Sequence, residues 1–347
     1  MSIVNGHFDY TSVVYCYGAS NSPQLMLDSV VIKDNSSLAY GGGIHIDSCD
    51  VSINQSTLVN NNSSEYGGAI YAYESNIEIT QSNILDNEAK TGGGIFNQDS
   101  IITLQNSSIS GNIANHSSGG GIFQTTENSM LVIEDSLISE NFSNEDGGGI
   151  AAISGRSLTI MNSTISGNSA NANGGGVFSR AVTTISHSTI VKNIADADMD
   201  DVGNGGGLFS SQDGEVKIEQ SILADNFEFN SLQLNHDCGL EYSGSVISSG
   251  YNLVGSVGNC EFLAVGDITG VDPKLTPLGD YGGNTFTHAF LFGSPAIDAG
   301  TNTDCLAFDQ RGNSRPVDGD GDGVAICDIG AYESDRLWGV FLPLITR

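Results

Sequence analysis

The sequence predicts an all-β solenoid: a coil of about eight stacked parallel rungs with a non-repeating, disulfide-bonded carboxyl-terminal cap. Three observations carry this. Glycine-rich phrases start at Gly41, Gly67, Gly92, Gly119, Gly147, Gly174 and Gly205, at intervals of 26, 25, 27, 28, 27 and 31 residues. Inside each repeat runs a stricter frame. Ile53, Ile79, Leu104, Ile133, Ile160, Ile185 and Ile218 are followed three residues later by Ser56, Ser82, Ser107, Ser136, Ser163, Ser188 and Ser221, and five further on comes an asparagine. Thirdly, the apolar stretches are short and alternate, with no helical period.

Each element follows from these spacings. "IEI" (77–79), "LTI" (158–160) and "VKI" (216–218) read as strands with two side chains in and one out. A second strand holds the aliphatic two residues after each serine (Leu58, Ile84, Ile109, Ile138, Ile165, Ile190, Leu223), and a third follows the glycines (Ile44, Ile70, Ile95, Ile122, Ile150, Val177, Leu208). Three brief strands per repeat cannot bury their apolar side alone, so successive turns must stack. Strands stack ~4.8 Å apart, which gives a rod on the order of 35–40 Å. Asn35, Asn61, Asn87, Asn112, Asn141, Asn168, Asn193 and Asn226 recur at one bend, where an amide can bond to backbone and to its copies above and below. The variable stretch after each asparagine reads as a tolerant loop. The glycines suit sharp turns and close backbone approach.

Composition narrows the function. Lys plus Arg is 11 and Asp plus Glu is 41, a formal net charge of −30. That excludes a nucleic-acid partner, whose phosphates need a basic face, and an anionic membrane surface. No apolar run is long enough for a transmembrane segment. The six cysteines contain no CxxC pair, which argues against zinc or thioredoxin-type chemistry. Pairing of sequence neighbours is expected: Cys16 with Cys49, Cys238 with Cys260, Cys305 with Cys327. Such bonds imply an extracellular or cell-surface address, with a secretion signal removed from this chain.

Phrases such as "SGNSANANGGGVFS" (166–179) and "SGNIANHSSGGGIFQ" (110–124) resemble those of right-handed parallel β-helix repeat proteins, in particular polymorphic outer-membrane-protein-like repeats. The resemblance covers roughly residues 25–230 and implies the fold more than any activity. The segments "DPKLTPLGDYGGNTFTHAFLFGSPAIDAG" and "DQRGNSRPVDGDGDGVAICDIGAYE" resemble the carboxyl-terminal module of choice-of-anchor-type secreted β-helix proteins. That likeness implies a segment that closes the coil at a surface address. The expected organisation is therefore an amino-terminal segment (1–24), β-helix repeats (25–230), a capping module (231–335) and an apolar tail (336–347).

Three places invite chemistry. In "DGDGDG", Asp318, Asp320 and Asp322 alternate as at the start of an EF-hand loop; Ile329 stands where the closing Glu would be, and Asp328 can substitute. Calcium is the expected cofactor there, against a plain acidic turn. The stretch "DADMDDVG" (196–203) lengthens one loop, and its Asp196, Asp198, Asp200 and Asp201 suit a cation or action on a sugar; Asp200 and Asp201 as ligands, with Arg180 or Lys192 as base, are the catalytic candidates, against a solvated acidic loop. The residue after each post-glycine aliphatic is His45, Tyr71, Phe96, Phe123, Ala151, Phe178 or Phe209. Alternation sets this column opposite the aliphatic one, so an inward aliphatic column predicts an exposed aromatic stripe that binds glycan rings or a partner.

The function expected is structural or adhesive. The expected partner is a glycan, a surface protein or other copies of the same chain, the last by assembly into fibres. The competing class is a polysaccharide lyase or glycoside hydrolase of the pectate-lyase-like kind.

Overall fold

A computed structural model describes residues 1–8, 12–18, 23–229 and 236–335. The apolar tail 336–347 lies outside the described residues. Each strand inside a sheet of the coil pairs in parallel with the equivalent strands of the turns before and after it, and the end strands pair on one side. Four sheets result, and no helix forms among the described residues. The sheet that follows the serines has 11 strands, from Ser2–Val4 to Ile268–Thr269. The long sheet, from Gln24–Asp28 to Ser245–Gly250, and the post-glycine sheet, from Val14–Tyr17 to Cys238–Glu241, have nine each. A fourth sheet of nine two-residue strands, from His7–Phe8 to Phe227–Glu228, occupies the stretch expected to be loop. Two residues are too few to show alternation; the trace this sheet leaves is a small buried residue two places after each ladder asparagine up to Asn193, namely Ser37, Ser63, Ala89, Ala114, Ser143, Ala170 and Ala195.

Register keeps like on like: Ile70 pairs with Ile44 and Ile95, and Ile79 with Ile53 and Leu104. The inward columns are fully buried and form one continuous core. Asparagine and serine columns run through the bends. Asn87 Nδ2 donates to Leu58 O and to Asn112 Oδ1, at 3.1 and 2.9 Å. Ser82 N–H donates to Ser107 Oγ at 3.0 Å, and Ser82 Oγ accepts from Ser56 N–H. Each bond spans one turn, so buried polar groups are satisfied by the repeat itself. The glycine phrase is set by close approach. A Cβ on Gly120 would stand 2.4 Å from the carbonyl oxygens of both Phe142 and Gly148, and neither backbone oxygen can yield.

The described part of segment 1–24 is not separate from the coil, since it supplies strands of the first turn. At the other end, Cys260 and Phe262 join the main core, and the disulfide Cys238–Cys260 ties that closure to the last post-glycine strand. The other bonds are Cys16–Cys49 and Cys305–Cys327, the neighbour pairing expected.

The rest of the carboxyl-terminal module folds back along the flank of the coil. Asn284 Nδ2 donates to Asn106 Oδ1, Thr164 Oγ1 to Gln310 Oε1, Ala331 N–H to Thr189 Oγ1 and Gly330 N–H to Gln220 O. The outward residues of the post-serine sheet respond to this cover. Asn83 and Leu85 are exposed or half-buried, whereas Leu137, Thr164, Val191, Ile222 and Ala224 are buried. Val191, Ile222 and Ala224 form a second core with Ala296 and Ile329 of the module. Two buried ion pairs brace the module: Arg311 with Asp309 at 2.7 Å, and Arg315 with Glu333 at 3.7 Å.

Candidate binding surface

The aromatic column points away from the core, as alternation requires, but it is not an exposed stripe. His45, Tyr71, Phe96, Phe123, Phe178 and Phe209 are all buried. The residue ahead of each glycine phrase folds over them in the early turns. Tyr40 covers Tyr71 and Tyr66 covers Phe96, each with ring centroids 4.7 Å apart. The rings also stack along the column, Tyr71 on Phe96 at 5.5 Å and Phe96 on Phe123 at 5.2 Å. These side chains form a small outer core with Ala151. Ala151 interrupts the column; beyond it Phe178 stacks on Phe209 at 5.8 Å, under the guanidinium of Arg180. Burial lowers the His45 pKa and raises that of the Tyr71 phenol.

The column does reach solvent at its amino-terminal end, through residues the repeat pattern left out. Tyr15 pairs with His45 in register and is the first member of the column. Tyr15 is 47% exposed, Tyr17 57% and Tyr40 38%. Tyr15 lies 6.0 Å from Tyr17, in a stacked arrangement, and 4.8 Å from His45, which lies 5.5 Å from Tyr40. A carboxylate borders this patch, since Asp47 acts on Tyr15; one turn on, Glu74 accepts the Tyr73 hydroxyl at 2.7 Å. One signal was available in the sequence, because Tyr40 and Tyr66 both stand directly before a glycine phrase.

The family described as a right handed beta helix region matches residues 12–190. This chain belongs to it. No curated protein matches the chain.

On this β-helix the catalytic candidates stay apart. Arg180 follows the post-glycine strand Val177–Ser179, where it covers Phe178. Lys192 follows the post-serine strand Thr189–Val191 at a different corner, with Nζ 2.7 Å from Asp225 Oδ2. Asp200 and Asp201 lie in the loop after the short strand Ile194–Ala195. Asp200 Oδ1 accepts Val202 N–H at 2.9 Å.

The acidic residues of the module are divided too. Asp318 and Asp320 gather with Asp298, their oxygens within 4.8 Å of one another. Asp322 and Asp328 are not in this group: Asp322 Oδ1 accepts Val324 N–H, while Asp328 accepts the N–H groups of Asp298 and Ser334. Asp298 stands 20 residues before Asp318, too far for a local motif to reveal it.

Proposed function

We propose that this β-helix is a secreted or cell-surface binding protein whose amino-terminal tyrosine patch holds a neutral glycan. The observation that carries this reading is the set of three tyrosines, Tyr15, Tyr17 and Tyr40, exposed side by side around His45. Tyrosine offers an apolar ring face to the C–H side of a sugar and a hydroxyl to its polar edge. Asp47 at the border and Glu74 one turn on accept hydrogen bonds from sugar hydroxyls and repel uronates and sulfates, as does the net charge of −30. Rings anchored on a buried stack lose little freedom on binding.

The test is a glycan array followed by calorimetry with the best neutral ligand. Binding is expected to weaken about tenfold or more in Tyr15→Ala and in Tyr40→Ala. Unchanged affinity in both variants rejects the patch. Release of unsaturated products or reducing ends replaces the binding role with a catalytic one.

A further inference from the structure

The loop at 196–203 holds an unresolved polar account. Asp196, Asp198 and Asp200 each place an oxygen within 4.8 Å of the other two. Asp198 and Asp200 are exposed, but Asp196 is fully buried. Asp196 Oδ1 accepts Asp200 N–H at 3.0 Å. Its Oδ2 is enclosed and accepts nothing among the described residues. A buried carboxylate oxygen without a partner is costly, more so beside two other carboxylates. Burial, with repulsion from Asp200, Asp198 and Asp201, pushes the Asp196 pKa up.

A proton on Asp196 would relieve that one oxygen and leave Asp198 and Asp200 repelling each other. A cation among the three carboxylates relieves their repulsion together, and supplies a partner for the enclosed Asp196 oxygen when it sits against it. The donors are oxygens alone, without imidazole or thiolate, so the fitting ion is hard. Alternate residues wrap oxygens around such an ion, and the chain turns sharply next, with Asp201 at φ 67°.

We propose that Asp196, Asp198 and Asp200 bind one divalent cation of the calcium type, with Asp196 Oδ2 as its buried ligand. The ion fastens the lengthened loop to the coil. The Asp298, Asp318 and Asp320 group has no comparable vacancy. Both oxygens of Asp298 already accept backbone N–H groups, from Ile326 and from Gly319 and Asp320. Both oxygens of Asp318 do likewise, from Gly321 and Gly323.

The test uses the full chain, stripped with chelator, dialysed and titrated with calcium chloride, with magnesium chloride alongside. Calorimetry and the melting temperature are both read. Calcium is expected to bind at one site and raise the melting temperature by mass action. The double variant Asp198→Ser/Asp200→Ser changes exposed positions only, so it keeps the fold, and it should lose about tenfold or more in affinity. Asp320→Ser should bind as the parent does. The proposal is overturned if calcium leaves the parent unchanged or if the double variant keeps its affinity. It is equally overturned if the response is lost in Asp320→Ser alone, or if Asp196→Asn responds like the parent, since a proton then satisfies Asp196.

Discussion

Asp237 stands where the next asparagine of the ladder would be, and its Oδ1 accepts both the backbone N–H and the Nδ2–H of Asn226, at 2.7 and 2.9 Å. Every ladder asparagine makes this pair of bonds to its successor, so this chain of side-chain bonds runs toward the carboxyl end. The last pair needs an acceptor that asks for no further acceptor of its own. Asp237 is that group, because its Oδ2 takes Ser256 N–H at 2.6 Å. The serine column ends the same way. Ser221 N–H donates to Asn252 Oδ1, and Asn252 donates through N and Nδ2 to Asp267 Oδ1.

Asp237→Asn should therefore destabilise the fold, although it continues the repeat. The amide oxygen can serve Asn226, but the NH2 group then faces the Ser256 N–H. A loss of about 1–3 kcal/mol is expected in urea unfolding at about pH 8, where Asp237 is ionised. Equal stability would show that the column ends without regard to acceptors.

Within the ladder the loss should be larger. Asn141 is fully buried, donates to Ile109 O and Asn168 Oδ1, and accepts from Asn112 N and Nδ2. Asn141→Ala takes the partner from Ile109 O and from both donors of Asn112 on the preceding turn and one donor from Asn168 Oδ1 on the next, at a cost of about 3 kcal/mol or more. Asn115→Ala, which loses one exposed side-chain bond to Glu88, should stay within about 0.5 kcal/mol. Comparable values for the two would refute the ladder as a source of stability.

Stability should fall as pH rises from about 6.5 to 8. Burial pushes Asp237 up to about 7, against the lowering effect of N–H groups from Asn226 and Ser256. Burial, with Asp298 beside Asp328 and Asp328 beside Glu333, also holds Asp328 and Glu333 above their ordinary values. A carboxyl whose folded pKa is raised contributes stability that is complete below its unfolded pKa and lost as pH climbs through the folded one. His187 works in the opposite direction: burial lowers it to about 3, so its contribution is lost as pH falls below its unfolded value. His45 and His288 are lowered in the same way. The histidine effect fades as pH passes through their unfolded value of about 6.5, and above it the carboxyls weigh more. Thermal melts between pH 5 and 8 should show a maximum near pH 6. A melting temperature that keeps rising to pH 8 contradicts this assignment.

The lateral docking of the carboxyl-terminal module turns on Gln310. Its Nε2 donates to Ser136 O and Thr285 Oγ1, and its Oε1 accepts from Thr164 Oγ1. Gln310→Ala should raise amide exchange in Leu137–Ser139 and Thr164–Ser166, which the module covers, and leave Thr57–Val59 unchanged. Uniform exchange across the three strands would mean that the module does not protect the flank.

What the sequence determined by itself was the coil, turn by turn. The frame from Ile79 through Ser82 to Asn87 is local, and stacking repeats it in register, so spacing alone carries strands, inward columns and ladder. The tertiary structure decided what lies outside that frame. The aromatic column was legible, but its burial was not, because the cover over Tyr71 comes from Tyr40 of the preceding turn. The module's motifs were legible, but not its course along the flank, because bonds such as Thr164 to Gln310 join residues 146 apart. Asp298 reaches Asp318 only through folding, and the orphaned oxygen of Asp196 arises only from packing. Side-chain direction is set within a few residues of the chain, whereas burial depends on what other turns bring against it.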